Sequence, residues 1–385
     1  MSEIVTPETA EEMAALLAEA GEQGRKVLVR GSGSCALGRR TAAAGWLLDT
    51  RRLTGIVDYD PDELVITARA GTPLGEIEAA LAERRQILAF DPVPAALALG
   101  EPATSPTIGG IVASGSAGPR RLTAGAVRDH VLGFSGVSGR GEAFKAGGRV
   151  VKNVTGFDLP KLFVGSWGSL GVLDTVTLRT LPAPRFEATL MFRTGLDRAG
   201  ELMSAALRHS AAVSCAAHSD EGTMLRLEGF RASVDARFDG LARDLGSFGS
   251  AERVEAEESG RMWHRVRTLG ALPPDAALWR ISVPPAEGAA LLATLQEEAI
   301  GWLIDWGGAR LWLAVPDTGD ADALRIRSMA LAVGGHAVLL RASDPVRAAA
   351  GTSPRDPVAE RLAERIKSAF DPRGILNPGL DIQEL

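Results

Sequence analysis

Lys26-Val-Leu-Val-Arg30 runs without a break into Gly31-Ser-Gly-Ser-Cys-Ala-Leu-Gly38, and the reading of that junction decides the fold. Its first half is a short apolar run of strand type. Gly31 and Gly33 have no Cβ, so the chain can turn sharply there and aim successive N–H groups at an anion. Ser32 and Ser34 add hydroxyl donors, and a diphosphate suits such a cradle. The same residues, as Gly31-x-Gly33-x-x-Ala36, also fit a dinucleotide-binding fingerprint, with Asp49 near the position of its ribose-binding acid. That reading needs a long helix beginning near Gly33. Only 12 residues separate Gly33 from Trp46, where the next strand starts, and Gly38 and Gly45 interrupt them. The spacing rules the fingerprint out. A tight surface turn stays open as the bland reading of a lone GxG.

Other glycine-rich stretches follow. Thr107-Ile-Gly-Gly-Ile-Val-Ala-Ser-Gly-Ser-Ala-Gly118 is almost entirely small, which lets backbone lie close against a flat ring or a phosphate. Leu122–Leu132, Val151–Leu159 and Gly165–Val172 continue the pattern, the last leading into a strand at Leu173–Leu178. Glycine-rich loops joined by short strands can converge on one large, polar ligand.

The remainder of the chain is ordinary by composition. Its 385 residues are 45% hydrophobic with a net charge of −6, which suggests two domains and argues against nucleic acid. The Arg pairs, Arg120-Arg121 among them, are scattered and read as solvated surface. Two cysteines, Cys35 and Cys215, can build neither a disulfide framework nor an iron–sulfur cluster. With no leader pattern and no long apolar run, the chain is expected to be cytoplasmic, with any contact at the inner membrane face made through partners. Near the start, Thr6 and Pro7 read as the N-cap and first residue of a helix. Leu181-Pro-Ala-Pro-Arg185 marks a boundary. Beyond it, strand and helix patterns repeat as two β-α-β-β-α-β runs, at about 186–256 and 278–341, the split-βαβ pattern with helices on an antiparallel sheet. The tail, Phe370-Asp-Pro-Arg-Gly-Ile-Leu-Asn-Pro-Gly379, is turn-rich and positioned by what it packs against.

Together these segments resemble a family. Arg30–Ser34, Thr107–Gly110, Gly125-Ala-Val-Arg-Asp129, Lys152-Asn-Val-Thr-Gly-Phe-Asp158 and Gly165–Val172 are similar, in order, to the motifs of FAD-binding proteins of the vanillyl-alcohol-oxidase (PCMH) type. The tail is similar to the terminal motif of their D-lactate dehydrogenase and glycolate oxidase branch. Lys152–Leu159, Leu278–Pro285, Asp305-Trp-Gly-Gly308 and Gly334-Gly-His-Ala337 resemble, more narrowly, the E-subunit family of glycolate oxidases. The resemblance implies an α+β protein: a PCMH-type FAD-binding domain of two subdomains over 1–183, a cap of tandem split-βαβ units over 184–342, and a segment 343–385 returning to the first domain. It implies that Arg30, Gly31, Ser32, Gly33 and Ser34 cradle the pyrophosphate. Thr107, Gly109, Gly110, Ser114 and Gly118 would lie along the ribityl–diphosphate stretch, with Thr123, Gly125 and Val172 close to the cofactor. Some relatives tether FAD through a His in or near the first loop. This loop has none, and Cys35 reads as a buried thiol, so the FAD is expected to be non-covalent.

A flavin enzyme that dehydrogenates a 2-hydroxy acid needs a base for the hydroxyl proton and a cation, ideally Arg, for the carboxylate. The five histidines, His130, His209, His218, His264 and His336, show no metal-ligand spacing, and no metal is expected. His130 reads as a structural residue within a strand and His209 as a helix-end residue. His264 and His336 are the candidate bases, Arg280 and Arg310 the candidate carboxylate holders. Trp263, Trp279, Trp302, Trp306 and Trp312 read as core or subunit contacts. The chain contains no second redox centre for electrons to leave by. The resemblance therefore implies a hetero-oligomer with a related FAD-binding catalytic subunit and an iron–sulfur subunit, oxidising glycolate to glyoxylate. Two alternatives stay open: an accessory flavoprotein that relays electrons or supports its partner, and a stand-alone oxidase of another 2-hydroxy acid.

Overall fold

A computed structural model describes residues 3–33, 45–93, 105–149, 157–209, 213–352 and 356–378. Strands β1 (Glu3–Val5), β2 (Val27–Arg30) and β3 (Trp46–Asp49) form a parallel sheet in the order β1-β3-β2. The helix Ala10–Glu22 covers it, burying Met13, Leu17 and Ala20 with Val27, Trp46 and Leu48. Its cap is Thr9 rather than Thr6, because the Thr9 hydroxyl accepts the Glu12 N–H at 3.1 Å and Glu12 in turn accepts the Glu8 N–H at 2.8 Å.

Seven strands follow: β4 (Ile56–Asp60), β5 (Val65–Arg69), β6 (Gln86–Ile87), β7 (Val131–Ser138), β8 (Ala143–Gly147), β9 (Gly171–Arg179) and β10 (Leu181–Pro182). β6 and β10 pair as a short clip, and the other five make an antiparallel sheet in the order β4-β5-β9-β7-β8. The small-residue stretch expected as a loop is instead the helix Ile108–Ser114, ended by Gly115 at φ 65°. Ile108, Ile111 and Val112 fall on one face and join Phe90, Phe134, Phe163 and Val176 in the core. Gly109 lets the helix lie on the end of β5, since a Cβ there would stand 2.7 Å from both the Cβ and the carbonyl oxygen of Ala70.

The second half is one eight-stranded antiparallel sheet. The first unit contributes β11 (Phe186–Phe192), β12 (Val213–Ser219), β13 (Gly222–Gly229) and β14 (Ala251–Glu255). The second contributes β15 (Ala277–Ser282), β16 (Gly301–Asp305), β17 (Arg310–Val315) and β18 (His336–Arg341). The order β14-β11-β13-β12-β16-β17-β15-β18 is the same four-strand arrangement twice, joined where His218 of β12 faces Ile304 of β16. Helices Leu196–His209, Arg231–Asp244, Gly288–Leu295 and Ala323–Ala332 share one core with one sheet face. The linking helix Ala256–Thr268 packs Trp263 and Val266 on the other face, against Met191, Cys215 and Leu278. The fold is thus α+β, a PCMH-type domain followed by tandem split-βαβ units, as the pattern implies.

After the helix Pro357–Phe370 the chain returns to the first sheet. The Val27 N–H donates to the Ile375 carbonyl at 2.8 Å, and the Asn377 N–H donates to the Val27 carbonyl at 2.9 Å. No helix among the described residues is long and apolar enough to cross a membrane.

Candidate functional site

β2 ends at Arg30, and Gly31 to Gly33 bend across the head of the parallel sheet to line a cleft with Thr50, Thr107, Gly109, Gly110 and Val172. Gly33 has φ +83°, so no right-handed helix begins at it. A Cβ on Gly31 would stand 2.4 Å from the Thr107 hydroxyl. Buried in this cradle, the Ser32 hydroxyl has no hydrogen-bond partner among the described residues. A diphosphate with oxygens to accept that hydroxyl and the bare N–H groups fits these residues. Asp49, whose position resembled a ribose-binding acid, is engaged elsewhere. It is 1% exposed and pairs with Arg30 at 3.1 Å and Arg51 at 2.7 Å. Burial pushes its carboxyl up, but hydrogen bonds from Arg51 and Arg30 outweigh that and hold it below the usual range.

Thr107, Gly109, Gly110 and Val172 thus join Arg30–Gly33, while Ser34 and Cys35 lie outside the described residues. Ser114 lines a second cleft. Gly118, Thr123 and Gly125 line neither. Gly118 packs against the Asp91 carbonyl, the Thr123 hydroxyl donates to the Ser214 carbonyl at 3.2 Å, and Gly125, at φ +84°, lies against the Asp129 carboxylate. These three residues serve the domain contact and a turn. Trp167 was not singled out from the sequence, although it lines both clefts with φ 52°, a conformation bulky residues rarely adopt. The only sequence signal for it was its place between Gly165 and Gly168.

The second cleft, about 640 Å³, lies between the two domains. Ser114, Arg121 and Trp167 come from the first domain; Arg280, Trp306, Arg310 and His336 from the second. Strand register explains the convergence. Ser282 pairs with Arg310 of β17 on one side and with His336 of β18 on the other, so the three form a row across three strands. Arg280, two residues along β15, faces the same way and pairs with Trp312. His264, by contrast, is exposed on the helix Ala256–Thr268, away from this cleft. His130 is fully buried at the end of a single helical turn, not within a strand, and its Nε2 lies 2.8 Å from the Ala124 carbonyl.

Electrostatically the cleft is cationic. The Arg310 guanidinium, 8% exposed, lies 4.1 Å from the centre of the Trp306 ring, and Arg121 lies 4.3 Å from it. Burial, then the neighbouring charges of Arg280 and Arg121, push Arg310 well below the usual guanidinium range. Burial and Arg121 push Arg280 down to about 10. His336 is exposed at the start of β18, yet partial desolvation, then Arg280 and Arg310, hold its imidazole below the usual range. Arg120 is therefore not solvated surface, whereas Arg121 is exposed as expected and lies along the rim of the cleft. Arg120 forms a forked pair with Glu228 across the domain boundary, at 2.8 and 3.1 Å. Trp306, itself buried, and Trp312, packed against the core, both also line the cleft. The boundary is further tied by Arg267 to Asp91 at 3.3 Å and by the Trp306 indole N–H to the Gly118 carbonyl at 3.0 Å.

An anion cradle on a two-sheet domain, opening past Trp167 toward a cationic cleft under a second domain, defines a FAD-dependent oxidoreductase. The family model described as "FAD binding domain" matches residues 1–147. The chain is 39% identical to the glycolate oxidase subunit GlcE of Escherichia coli (strain K12), over 93% of each chain. It is 24% identical to the glycolate oxidase subunit GlcD of Bacillus subtilis (strain 168), over 98% of this chain and 88% of that one. A solved alkyldihydroxyacetonephosphate synthase shares the fold, with TM-score 0.70 at 15% identity, over 98% of this chain and 77% of the other. The chain belongs to the family of the glycolate oxidase subunit GlcE, and its cofactor is FAD.

Proposed function

We propose that this protein is the FAD-binding subunit of a glycolate oxidase assembly, oxidising the 2-hydroxy acid glycolate to glyoxylate. The observation that carries this reading is the convergence of Arg280, Arg310 and His336 with Ser114 and Trp167 in one interdomain cleft adjoining the anion cradle. The cradle, Arg30 to Gly33 with Thr107, Gly109, Gly110 and Val172, holds the diphosphate of a non-covalent FAD. Bound FAD supplies a hydride acceptor at N5 for the substrate's α-carbon. Arg280 and Arg310 hold the substrate carboxylate and fix its orientation. His336, exposed at the start of β18 and held below the usual imidazole range by partial desolvation and the two arginines, takes the hydroxyl proton at an imidazole nitrogen. Trp306, Trp312 and the domain contact around Gly118 limit water around these groups.

Electrons leave to an iron–sulfur partner subunit, in an assembly that also holds a related FAD-binding catalytic subunit. Anaerobic mixing of the purified FAD-loaded chain with glycolate tests the reading. Loss of the visible flavin absorbance without partners supports catalysis in this cleft. Bleaching that requires the partner flavoprotein would make this chain the accessory subunit.

A further inference from the structure

The cleft holds more positive charge than a two-carbon hydroxy acid can neutralise. Arg280 and Arg310 rise from neighbouring strands of the second domain and suffice for one carboxylate. Arg121 enters from the first domain and reaches the same indole as Arg310. None of the described lining residues is acidic. The carboxylate opposite Arg310 in the strand register, that of Asp305, accepts the Trp306 N–H at 2.7 Å and makes no ion pair with Arg310 among the described residues. The Arg310 Nε is buried with no hydrogen-bond partner among those residues. A buried guanidinium nitrogen that lacks a hydrogen-bond acceptor is costly even beside an aromatic ring, so its persistence points to a ligand that supplies one.

This arrangement is fixed rather than a loose surface cluster. Trp306 has φ 53° and the next two residues, Gly307 and Gly308, have φ 63° and 109°. Three consecutive left-handed residues, one of them tryptophan, persist only where the surroundings over-determine them. Here the indole N–H is tied to the Gly118 carbonyl of the other domain, which brings Arg121 and Arg310 to one ring.

We infer that the cleft is built for a 2-hydroxy acid bearing a second carboxylate, with one carboxylate on Arg280 and Arg310 and the other on Arg121. The inference rests on the cleft being the substrate site and widens its substrate class beyond glycolate. The oxidation is the one already described: two electrons and the α-hydrogen pass to FAD, and the hydroxyl proton passes to His336.

Calorimetric titration of the FAD-loaded protein at fixed ionic strength tests it, with malonate and tartronate against acetate and glycolate. Each dianion is expected to bind about tenfold or more tightly than its monoanionic counterpart, the effect of one added charge-assisted contact. Arg121→Gln is expected to erase that preference by weakening the dianions while changing acetate binding less than about twofold, and Arg121→Lys to restore part of it. Equal binding of malonate and acetate, or equal weakening of both by Arg121→Gln, overturns the inference. The two readings fail separately. Flavin bleaching by glycolate with no dianion preference leaves glycolate oxidation standing and sinks the second-charge site. A dianion preference with no bleaching by any hydroxy acid supports the second-charge site and sinks catalysis by this chain.

Discussion

The side-chain oxygen of Asn377 accepts the main-chain N–H of Val29 at 2.8 Å, while its amide nitrogen donates to the Trp167 carbonyl at 2.6 Å. One buried carboxamide near the carboxyl terminus thus ties the strand leading into the anion cradle to the tryptophan that separates it from the interdomain cleft. Lys367 secures the same tail, donating to the Ser169 carbonyl at 2.7 Å and the Leu376 carbonyl at 2.9 Å.

Asn377→Ala should therefore act on stability and cofactor retention together. It strips partners from two backbone groups, at about 1–3 kcal/mol for each one left buried. Urea unfolding should show a loss of about 2–4 kcal/mol, with faster release of FAD on gel filtration. An unchanged urea midpoint would show that the clamp is incidental.

Gly33 separates strain from charge. With φ +83° and 3.5 Å to the nearest Arg30 carbon, Gly33→Ala has room for its Cβ and costs about 1 kcal/mol of backbone strain. It should still purify yellow. Gly33→Asp adds to that strain a carboxylate facing the diphosphate and should purify colourless. Equal flavin content in the two variants would refute the cradle.

Arg310 separates a binding role from a folding role. Replacing a buried guanidinium that makes no ion pair among the described residues by an apolar side chain of similar length is neutral or stabilising, by up to about 4 kcal/mol. Arg310→Met should melt no lower than the natural protein and keep its FAD, yet lose substrate-induced flavin bleaching. A large fall in Tm would instead make Arg310 a structural residue.

Two buried groups oppose each other in pH dependence. Burial pushes His218 down to about 4, against the residual pull of Asp197 and Asp220. Between pH 4 and 6.5 the unfolded chain therefore binds the extra proton, and this group's contribution, on the order of 3 kcal/mol, is full above pH 6.5 and lost toward pH 4. Burial pushes Asp305 up to about 7, partly offset by the Trp306 N–H and by Arg310. Between about pH 4 and 7 the folded chain holds that proton, so its penalty grows with rising pH, again by a few kcal/mol. Relative to the natural protein, Asp305→Asn should gain stability as pH rises from 4 to 7, and His218→Gln should lose it. Urea midpoints at pH 4.5 and 7 check both signs, and parallel curves would refute the assignment.

Where a signal is carried by neighbouring residues, the chain could be read directly. The apolar run into Gly31 and Gly33, and the twofold recurrence of strand and helix patterns after Pro184, are local features that the structure reproduces. Reading failed where distant contacts decide. Thr107 to Ser114 looked like a loop because its glycines mask a helical face of Ile108, Ile111 and Val112, which only β5 and β9 reveal as core. Arg120 looked like surface because its partner, Glu228, lies far along the chain, and the contact of the exposed Arg121 with the Trp306 ring is hidden for the same reason.

By itself the sequence determined the class of fold, the glycine turn that follows β2 and the FAD-binding family, because backbone freedom at glycine and periodic burial are written in short stretches. The tertiary structure alone decided that Arg310, Ser282 and His336 form one row. It alone showed that Arg121 reaches the row's tryptophan from another domain, and that Asn377 closes the cradle. Those relations are set by strand register and domain contact between residues tens to hundreds of positions apart, and no local pattern encodes them.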